Sequence, residues 1–528
     1  IIGYANAVMK AIGVVAAGHP KTAQAAKIIL QEGGNAFDAA LAAQFTACVV
    51  EPVFTSLGGG GFLLAHTDGQ QLLYDFFTQT PACGTHHAGI NFYAINADFG
   101  TTEQEFHIGM GSIATPGTTK GLFKVHQDLC TLPLQQIMEP AIGYAQRGVR
   151  LNQLQAYSFR VLEKILTSTP EAFELYRSTN NNKRLLHEGE VFKQPYLADT
   201  LDALARDGAQ LFYRGEIAQR IIADCRERGG SLTREDLNNY RVIKRKPLAF
   251  NYQGAQVFTN PPPSSGGVLI AFALKLLEEL DVRALTFGSA PYLTLLARTM
   301  ECAQQVRTEM IDHESTRAYS TARRLLGQRL LRSYRSTVLH HAPSQGGTTH
   351  ISIVDGKGNM AGLTTTNGEG SGYVIPGTGI MLNNMLGEED INPCGFHRGT
   401  PGRRLSSMVS PTLILGADGF RLAMGSGGSN RIRTAMLQVL LNLIDFRMPT
   451  KKAVESPRIH FENGLLSIEP GFRPAELDRL EKEFPQRKLW EERNLFFGGV
   501  HVAGYHAQDK RFDGAGDPRR GGVYVVAK

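Results

Sequence analysis

The residues Gly346-Gly347-Thr348-Thr349-His350-Ile351 set a threonine at the border between a flexible run and strand-like sequence. If the Gly347–Thr348 peptide bond is cut, Thr348 carries both a hydroxyl nucleophile and, as the new chain end, its own amine base. A second threonine group, Thr364-Thr365-Thr366, lies beyond Asp355-Gly356-Lys357-Gly358, a strong hairpin signal. Counting from Val354 opposite Asn359 brings Thr348 opposite Thr365, with Thr366 adjacent. Threonine favours sheets, so the run by itself is also ordinary strand material. The turn Gly425-Ser426-Gly427-Gly428-Ser429-Asn430 leads straight into a helix. It leaves backbone N–H groups at the positive end of the helix dipole, where an anion or a tetrahedral oxyanion can bind. Glycines at such turns are also commonly steric. His350 alternates with its neighbours and reads as a structural strand histidine.

Other chemistries lack their residues. His313-Glu314 is not followed by a second histidine at metalloprotease spacing, and neither G-x-G-x-x-G nor a phosphate-binding loop occurs. With no clustered ligands and no nucleophile elbow, the chain calls for no metal and no cofactor. The six cysteines (Cys48, Cys83, Cys130, Cys225, Cys302, Cys394) are far apart and form no C-x-x-C pair, so buried free thiols are expected. They do not fix a compartment.

Around these residues the chain changes texture. Lys21 to Glu32 and Asn35 to Val50 read as helices, the first stopped by Gly33-Gly34 and the second dense in alanine for close packing. Leu63 to His66 and Leu72 to Phe77, joined by Thr67-Asp68-Gly69, predict a hairpin. The four glycines Gly58 to Gly61 stand too near a strand start to be a linker, so tight backbone packing is expected there. From Leu134 to Asp312 helical periodicity dominates, interrupted by Leu248 to Phe258 as a strand. Asn260-Pro261-Pro262-Pro263-Ser264-Ser265-Gly266-Gly267 then forms a rigid corner before a helix to about Glu279. After Thr348 strands prevail, with a buried helix over Arg431 to Phe446 and a final pair of strands, Gly499 to Tyr505 and Gly522 to Val526. With no internal repeat, a sandwich of sheets with helices outside is the simplest architecture.

At 528 residues the chain allows several domains or one large α/β body. No apolar run approaches the roughly 18 residues of a membrane span. The start at Ile1 shows neither an initiator Met nor a signal-peptide pattern, so any export signal is expected to be removed or never to have existed. The net charge of +6 hints at nucleic acid until it is located. Between His313 and Gly347 six arginines (Arg317, Arg323, Arg324, Arg329, Arg332, Arg335) face one acid, Glu314, and account for five of those charges. The segment ends in Pro343-Ser344-Gln345-Gly346-Gly347, so it reads as a solvated face or mobile linker before a processing site rather than a polyanion surface. No nucleic-acid partner is expected.

In order along the chain, Glu32-Gly33-Gly34-Asn35-Ala36-Phe37-Asp38-Ala39-Ala40, Leu57-Gly58-Gly59-Gly60-Gly61-Phe62, Thr115-Pro116-Gly117, Pro261-Pro262-Pro263-Ser264-Ser265-Gly266-Gly267, Thr348-Thr349-His350, Leu382-Asn383-Asn384, Leu405-Ser406-Ser407-Met408 and Asp517-Pro518-Arg519 resemble the signature blocks of the γ-glutamyltranspeptidases. The resemblance spans essentially the whole chain. It implies an N-terminal-nucleophile hydrolase of the α/β class, a four-layer αββα sandwich. It also implies a precursor that cuts itself between Gly347 and Thr348 into a large subunit (1–347) and a small one (348–528) that stay one folded unit. Implied with it are glutathione-type γ-glutamyl amides as substrate, water or an amine as acceptor, and a periplasmic or secreted location.

Residue by residue, the resemblance makes Thr348 the nucleophile and Thr366 the hydroxyl that orients its amine or Oγ. Because the count above places Thr365 opposite Thr348, this requires a bulge or a one-residue offset. Gly428 and Ser429 match the oxyanion donors, with an offset to Gly427 and Gly428 as the alternative. Ser406 and Ser407 match serines that bind the substrate carboxylate, and Asn367 stands in for an asparagine of the amine end. The substrate pocket departs from the family. Its D-F-R-E block reads Asp75-Phe76-Phe77-Thr78, so Phe77 replaces a carboxylate-binding arginine, and Arg403 or Arg404 is left to supply the charge. Met385 replaces a polar residue, and Glu388 or Glu389 takes the place of the acid that pairs with the substrate ammonium. The loop from Glu389 to Arg404 is short, which suggests an open cleft. These departures bring in a rival, an amidase or acylase on a different amide, of which β-lactam acylation is a family precedent. An inactive homologue retained as a binding protein is the second.

Overall fold

The computed structural model describes residues 10–84, 89–98, 103–311, 318–327, 330–331, 334, 348–392 and 395–528. Gly347, Cys394 and most of the arginine-rich segment lie outside the described residues; Arg323 and Arg324 belong to the helix Ala318–Leu325 and are exposed.

Two antiparallel sheets form the centre. The first runs, in spatial order, Val523–Ala527, Gly13–Ala17, Thr349–Asp355, Met360–Thr366, Gly60–Thr67, Gln70–Phe76 and Ile243–Arg245. It is built from chain on both sides of Thr348. The second runs Arg511–Ala515, Gly499–His506, Phe420–Gly427, Thr412–Leu415, Ala255–Thr259 and Leu248–Tyr252. Side chains alternate across the first sheet with the two-residue period of a strand. Val15, Ala17, Leu63, Ala65, Ile351, Ile353, Ala361 and Leu363 pack on helices Pro20–Gln31 and Ala36–Val50. Val14, Phe62, Leu64, Val354 and Met360 share a core with Leu422, Met424, Val500 and Val502 of the second sheet. Helices Gly266–Leu277, Ala290–Val306 and Arg431–Ile444 also join that core.

The local signals explain the helix starts. His19 accepts from the Lys21 N–H ahead of Pro20, and the helix ends before Gly33 at φ +92°. Asn35 and Asp38 form a reciprocal capping box for Ala36–Val50, in which every residue is buried. Such caps are worth about 1 kcal/mol each. Among the described residues no helix is long and apolar enough to cross a membrane.

The structure corrects three sequence expectations. Leu248 to Phe258 is a hairpin rather than one strand, because Gln253 (φ 47°) and Gly254 (φ 85°) make a tight turn in its middle. The last two expected strands belong to different sheets, since Arg511–Ala515 intervenes and pairs with Gly499–His506. Of the cysteines, Cys48, Cys225 and Cys302 are buried free thiols, but Cys83 is exposed and Cys130 half-buried.

Candidate active site

Thr349–Asp355 and Met360–Thr366 pair with Val354 opposite Met360 and Thr349 opposite Thr365. Continuing that register sets Thr348 opposite Thr366, one residue from the count made on the sequence. The cause is the turn. Asp355 N–H donates to the Asn359 carbonyl at 3.1 Å, so only Gly356 to Gly358 form the loop. The Asp355 carboxylate holds it by accepting from the Lys357 and Asn359 N–H groups at 2.9 and 3.0 Å.

With this register the threonines divide their work by strand alternation. Thr365 turns into the helix-facing core, donating to Gln44 Oε1 at 2.9 Å and meeting Thr55 Oγ1 at 2.8 Å. Thr364 faces the other sheet and meets His350 Nδ1 at 2.6 Å. Thr366 Oγ1 accepts from the Gly368 N–H at 3.0 Å and shares a cleft with Thr348. His350 also contacts Ser352 Oγ at 2.8 Å, and burial beside His501 holds its pKa well below the usual imidazole value. It is a neutral structural residue.

The strand that begins at Thr349, next to Thr348, is pinned on both flanks. Glu51 accepts from Thr349 Oγ1 at 2.7 Å and from Thr22 Oγ1 at 2.8 Å. Burial raises the Glu51 pKa against the lowering effect of those hydroxyls and of Arg520. Arg520 Nη1 donates to the Thr348 carbonyl at 3.2 Å. Burial also lowers the Arg520 pKa to about 10, opposed by Glu369, Asp517 and Glu51. A Cβ on Gly427 would lie 2.1 Å from the same Thr348 carbonyl oxygen, so the second sheet approaches Thr348 through a glycine. The run Gly58 to Gly61 does likewise for the partner strand. A Cβ on Gly59 would meet the Thr366 carbonyl oxygen at 2.3 Å, and one on Gly61 the Thr364 oxygen at 2.5 Å.

Gly427 is the last residue of its strand and pairs with Gly499, which leaves Gly428 and Ser429 as the turn proper. Their φ values, 124° and 49°, are both in the left-handed region. Neither N–H has a backbone acceptor among the described residues. Ser429 Oγ donates to the Asp390 carboxylate, and Asn430 Nδ2 donates to it at 2.9 Å. Arg307 clamps this pair from behind, through Asn430 Oδ1 at 2.6 Å and the Asp390 carbonyl at 2.7 Å. A strained turn held so firmly is characteristic of a functional position.

The cleft joining Thr348, Thr366 and Ser429 is walled by Phe77, Met385, Glu388, Asp390, Ser407 and Met408, among others. Phe77 stacks on Phe62, rings 5.3 Å apart. Ser407 Oγ accepts from Val409 N–H at 3.0 Å, while its carbonyl accepts from Ser264 Oγ at 2.6 Å, which ties the proline corner to the cleft. Burial beside Glu369 and Asp390 raises the Glu388 pKa well above the carboxylate range. Among the described residues no lysine or arginine lines the cleft.

Five expected site residues lie elsewhere. Arg404 is spent on Asp75 (3.2 Å), Tyr240 Oη (2.6 Å), the Arg241 carbonyl (2.6 Å) and the Phe77 carbonyl, and Arg403 beside it is exposed. Glu389 is exposed, because the 3-10 turn Glu389–Ile391 points Asp390 inward instead. Asn367 turns its amide toward the Met381 and Leu382 carbonyls, 3.5 Å away, and Gly368 occupies the wall. Ser406 Oγ donates to the Pro263 carbonyl at 2.9 Å. Asp390 and Gly368 were missed. The acidic run Glu388-Glu389-Asp390 was visible, but which member turns inward depends on the helical turn.

The γ-glutamyltranspeptidase family model matches residues 22–527. The chain belongs to the γ-glutamyltranspeptidase family. Within that family it is similar to the glutathione hydrolase proenzyme of Pseudomonas aeruginosa, 31% identical over 98% of this chain and 95% of the relative. It is equally similar to the acylase ACY 1 proenzyme of Pseudomonas sp. (strain V22), 31% identical over 87% of this chain and 84% of that protein. Among solved structures, a cephalosporin acylase from Bacillus halodurans superposes with a TM-score of 0.83 at 25% identity, covering 99% of this chain and 97% of that one. This γ-glutamyltranspeptidase family member thus lies between relatives with hydrolase and acylase names.

Proposed function

We propose that the chain is a self-processing γ-glutamyltranspeptidase-type enzyme that cleaves γ-glutamyl amides and passes the acyl group to water or to an amine. Cleavage between Gly347 and Thr348 would divide it into a large subunit, 1–347, and a small one, 348–528, within one four-layer αββα body. The observation that carries this reading is the meeting in one cleft of Thr348, the Thr366 hydroxyl and the Gly428-Ser429 turn. Relatives named as proenzymes support the processing step.

The chemistry follows from that meeting. The freed α-amine, with a reference pKa of about 7.7–8.0, keeps an unprotonated fraction near neutral pH that can accept a proton, and that fraction grows as pH rises. It takes the Thr348 Oγ proton as Oγ bonds to the amide carbonyl carbon. The Gly428 and Ser429 N–H groups receive the developing oxyanion, and a preorganised donor of this kind is worth about 2.7–4 kcal/mol. As the C–N bond breaks, the amine returns the proton to the leaving nitrogen. Water or an acceptor amine then attacks the acyl-threonine and the steps run in reverse. Electrophoresis tests the reading: two fragments in the wild type and one uncut chain in Thr348→Ala support it, and an uncut wild type that still turns over amides refutes it.

A second reading, an acylase on a different acyl amide, is favoured by a specific observation: Phe77 and Met385 in the wall of a cleft with no lysine or arginine among its described lining residues. Hydrolysis of γ-glutamyl anilide set against other acyl anilides decides between the two. By family resemblance the protein works in the periplasm or outside the cell.

A further inference from the structure

Among the described residues, the acyl side of the cleft is lined by acids and by no basic side chain. Glu388 and Asp390 both line it, and no lysine or arginine does among the described residues. The arginines close by are committed. Arg404 serves Asp75 and Tyr240, Arg307 serves Asn430 and the Asp390 carbonyl, and Arg431 lies over the Phe496 ring with Nε donating to the Phe496 carbonyl at 3.1 Å. Asp390 is satisfied by Ser429 and Asn430. Glu388 is not: only 6% exposed, it has one carboxyl oxygen, Oε1, with no hydrogen-bond partner. An unpaired buried polar atom is expensive unless a ligand supplies its partner. The rest of the wall near it, Phe77, Met385 and Met408, is apolar and nearly closed to solvent.

Such a cleft discriminates by charge. A donor carboxylate would be buried beside Glu388 and Asp390 with no lysine or arginine in the described lining to receive it, which is unfavourable. An ammonium would give Glu388 Oε1 a charge-assisted partner and favour the ionised carboxylate that burial beside Glu369 and Asp390 disfavours. Methylenes between the ammonium and the scissile carbonyl would lie on the apolar wall. We propose that the preferred acyl donor carries an ammonium and no carboxylate, an ω-aminoacyl amide of the 4-aminobutyryl type, with Glu388 as the ammonium's partner. This rests on the Thr348 acyl-transfer reading and sharpens its second donor assignment. The 4-aminobutyryl group is the γ-glutamyl group without its α-carboxylate, so the two donors isolate that one charge.

The test uses processed wild-type enzyme and three p-nitroanilides: 4-aminobutyryl, γ-glutamyl and butyryl. The expected result is a kcat/KM for the 4-aminobutyryl donor about tenfold or more above each of the others. Equal or faster turnover of the γ-glutamyl or the butyryl donor overturns the proposal while leaving Thr348 catalysis intact. In Glu388→Gln the preference for 4-aminobutyryl over butyryl should shrink to within about threefold; a preserved preference overturns the role of Glu388. Should that variant fail to process, the wild-type ratios decide alone. If none of the three donors turns over, mass spectrometry after treatment with a reactive acyl ester distinguishes the failures. An adduct on Thr348 then overturns the donor class, and no adduct there overturns the acyl-transfer reading beneath it.

Discussion

Gly427→Ala is the sharpest probe of how the two sheets present Thr348, the proposed nucleophile. The added Cβ would lie 2.1 Å from the Thr348 carbonyl oxygen, whereas real Cβ contacts essentially never fall below 3.0 Å. One backbone must therefore retreat by roughly 0.9 Å, because neither atom is the end of a flexible side chain. The same Cβ would stand 3.1 Å from Arg520 Nη1, so the hydrogen bond that fixes the Thr348 carbonyl shifts with it. A misplacement of about 1 Å at a reacting group costs on the order of a hundredfold in rate, or about 2.7 kcal/mol. We expect kcat on an activated anilide to drop by about that factor, and self-cleavage, followed by gel, to slow in parallel. Gly504→Ala is the control, since its nearest atom is Phe420 Cε2 at an ordinary 3.4 Å, and it should behave as wild type. If Gly427→Ala processes and turns over as Gly504→Ala does, the close approach does not position Thr348 and the reasoning fails.

Thr366→Val removes the hydroxyl that accepts from Gly368 N–H and faces Thr348; kcat should drop roughly ten- to a hundredfold with little change in KM, as steady-state kinetics on processed enzyme will show. The kcat/KM profile should rise with pH through a single group near about 7.7–8.0, the Thr348 amine, with no inflection near 6.5, because His350 stays neutral there. Arg404→Met takes one of two arginines from the buried Asp75, the other, Arg245, staying at 2.8 Å, and should cost about 1.5–3 kcal/mol in chemical denaturation, yet leave the ratio between acyl donors unchanged. Glu388 binds its proton more tightly folded than unfolded, so the stability it contributes is present below the unfolded value of about 4.3 and is lost as pH rises toward the raised folded value. Thermal melts of Glu388→Gln should therefore gain on the wild type as pH is raised from 4 to about 8; a constant difference would contradict the burial account.

What could be read without coordinates was whatever short-range chemistry dictates. The helix read from Asn35 to Val50, the Asp68-Gly69 turn and the crowding of Gly58 to Gly61 all follow from a few adjacent residues, and all are present, the helix starting at Ala36 behind its Asn35 cap. The Thr348–Thr366 pairing was one residue out because the loop length depends on Asp355 folding its carboxylate over the Lys357 and Asn359 N–H groups. The cleft wall was harder still. Phe77 and Met385 could be read as substitutions in a pattern, but Arg404 seemed available until Asp75, Tyr240 and two carbonyls, distant in sequence, claimed its guanidinium. Asp390 and Glu389 differ only in which side of a 3-10 turn they take, a choice made by Ser429 and Asn430 some forty residues away.

The central claim is that Thr348 becomes both chain end and nucleophile. Intact-mass and peptide mass spectrometry of purified protein, before and after a slow acyl donor, tests it in one measurement. The account predicts a fragment of residues 348–528 whose first residue, Thr348, gains the mass of the acyl group. A fragment beginning at another residue, or an adduct on any other side chain, would contradict it.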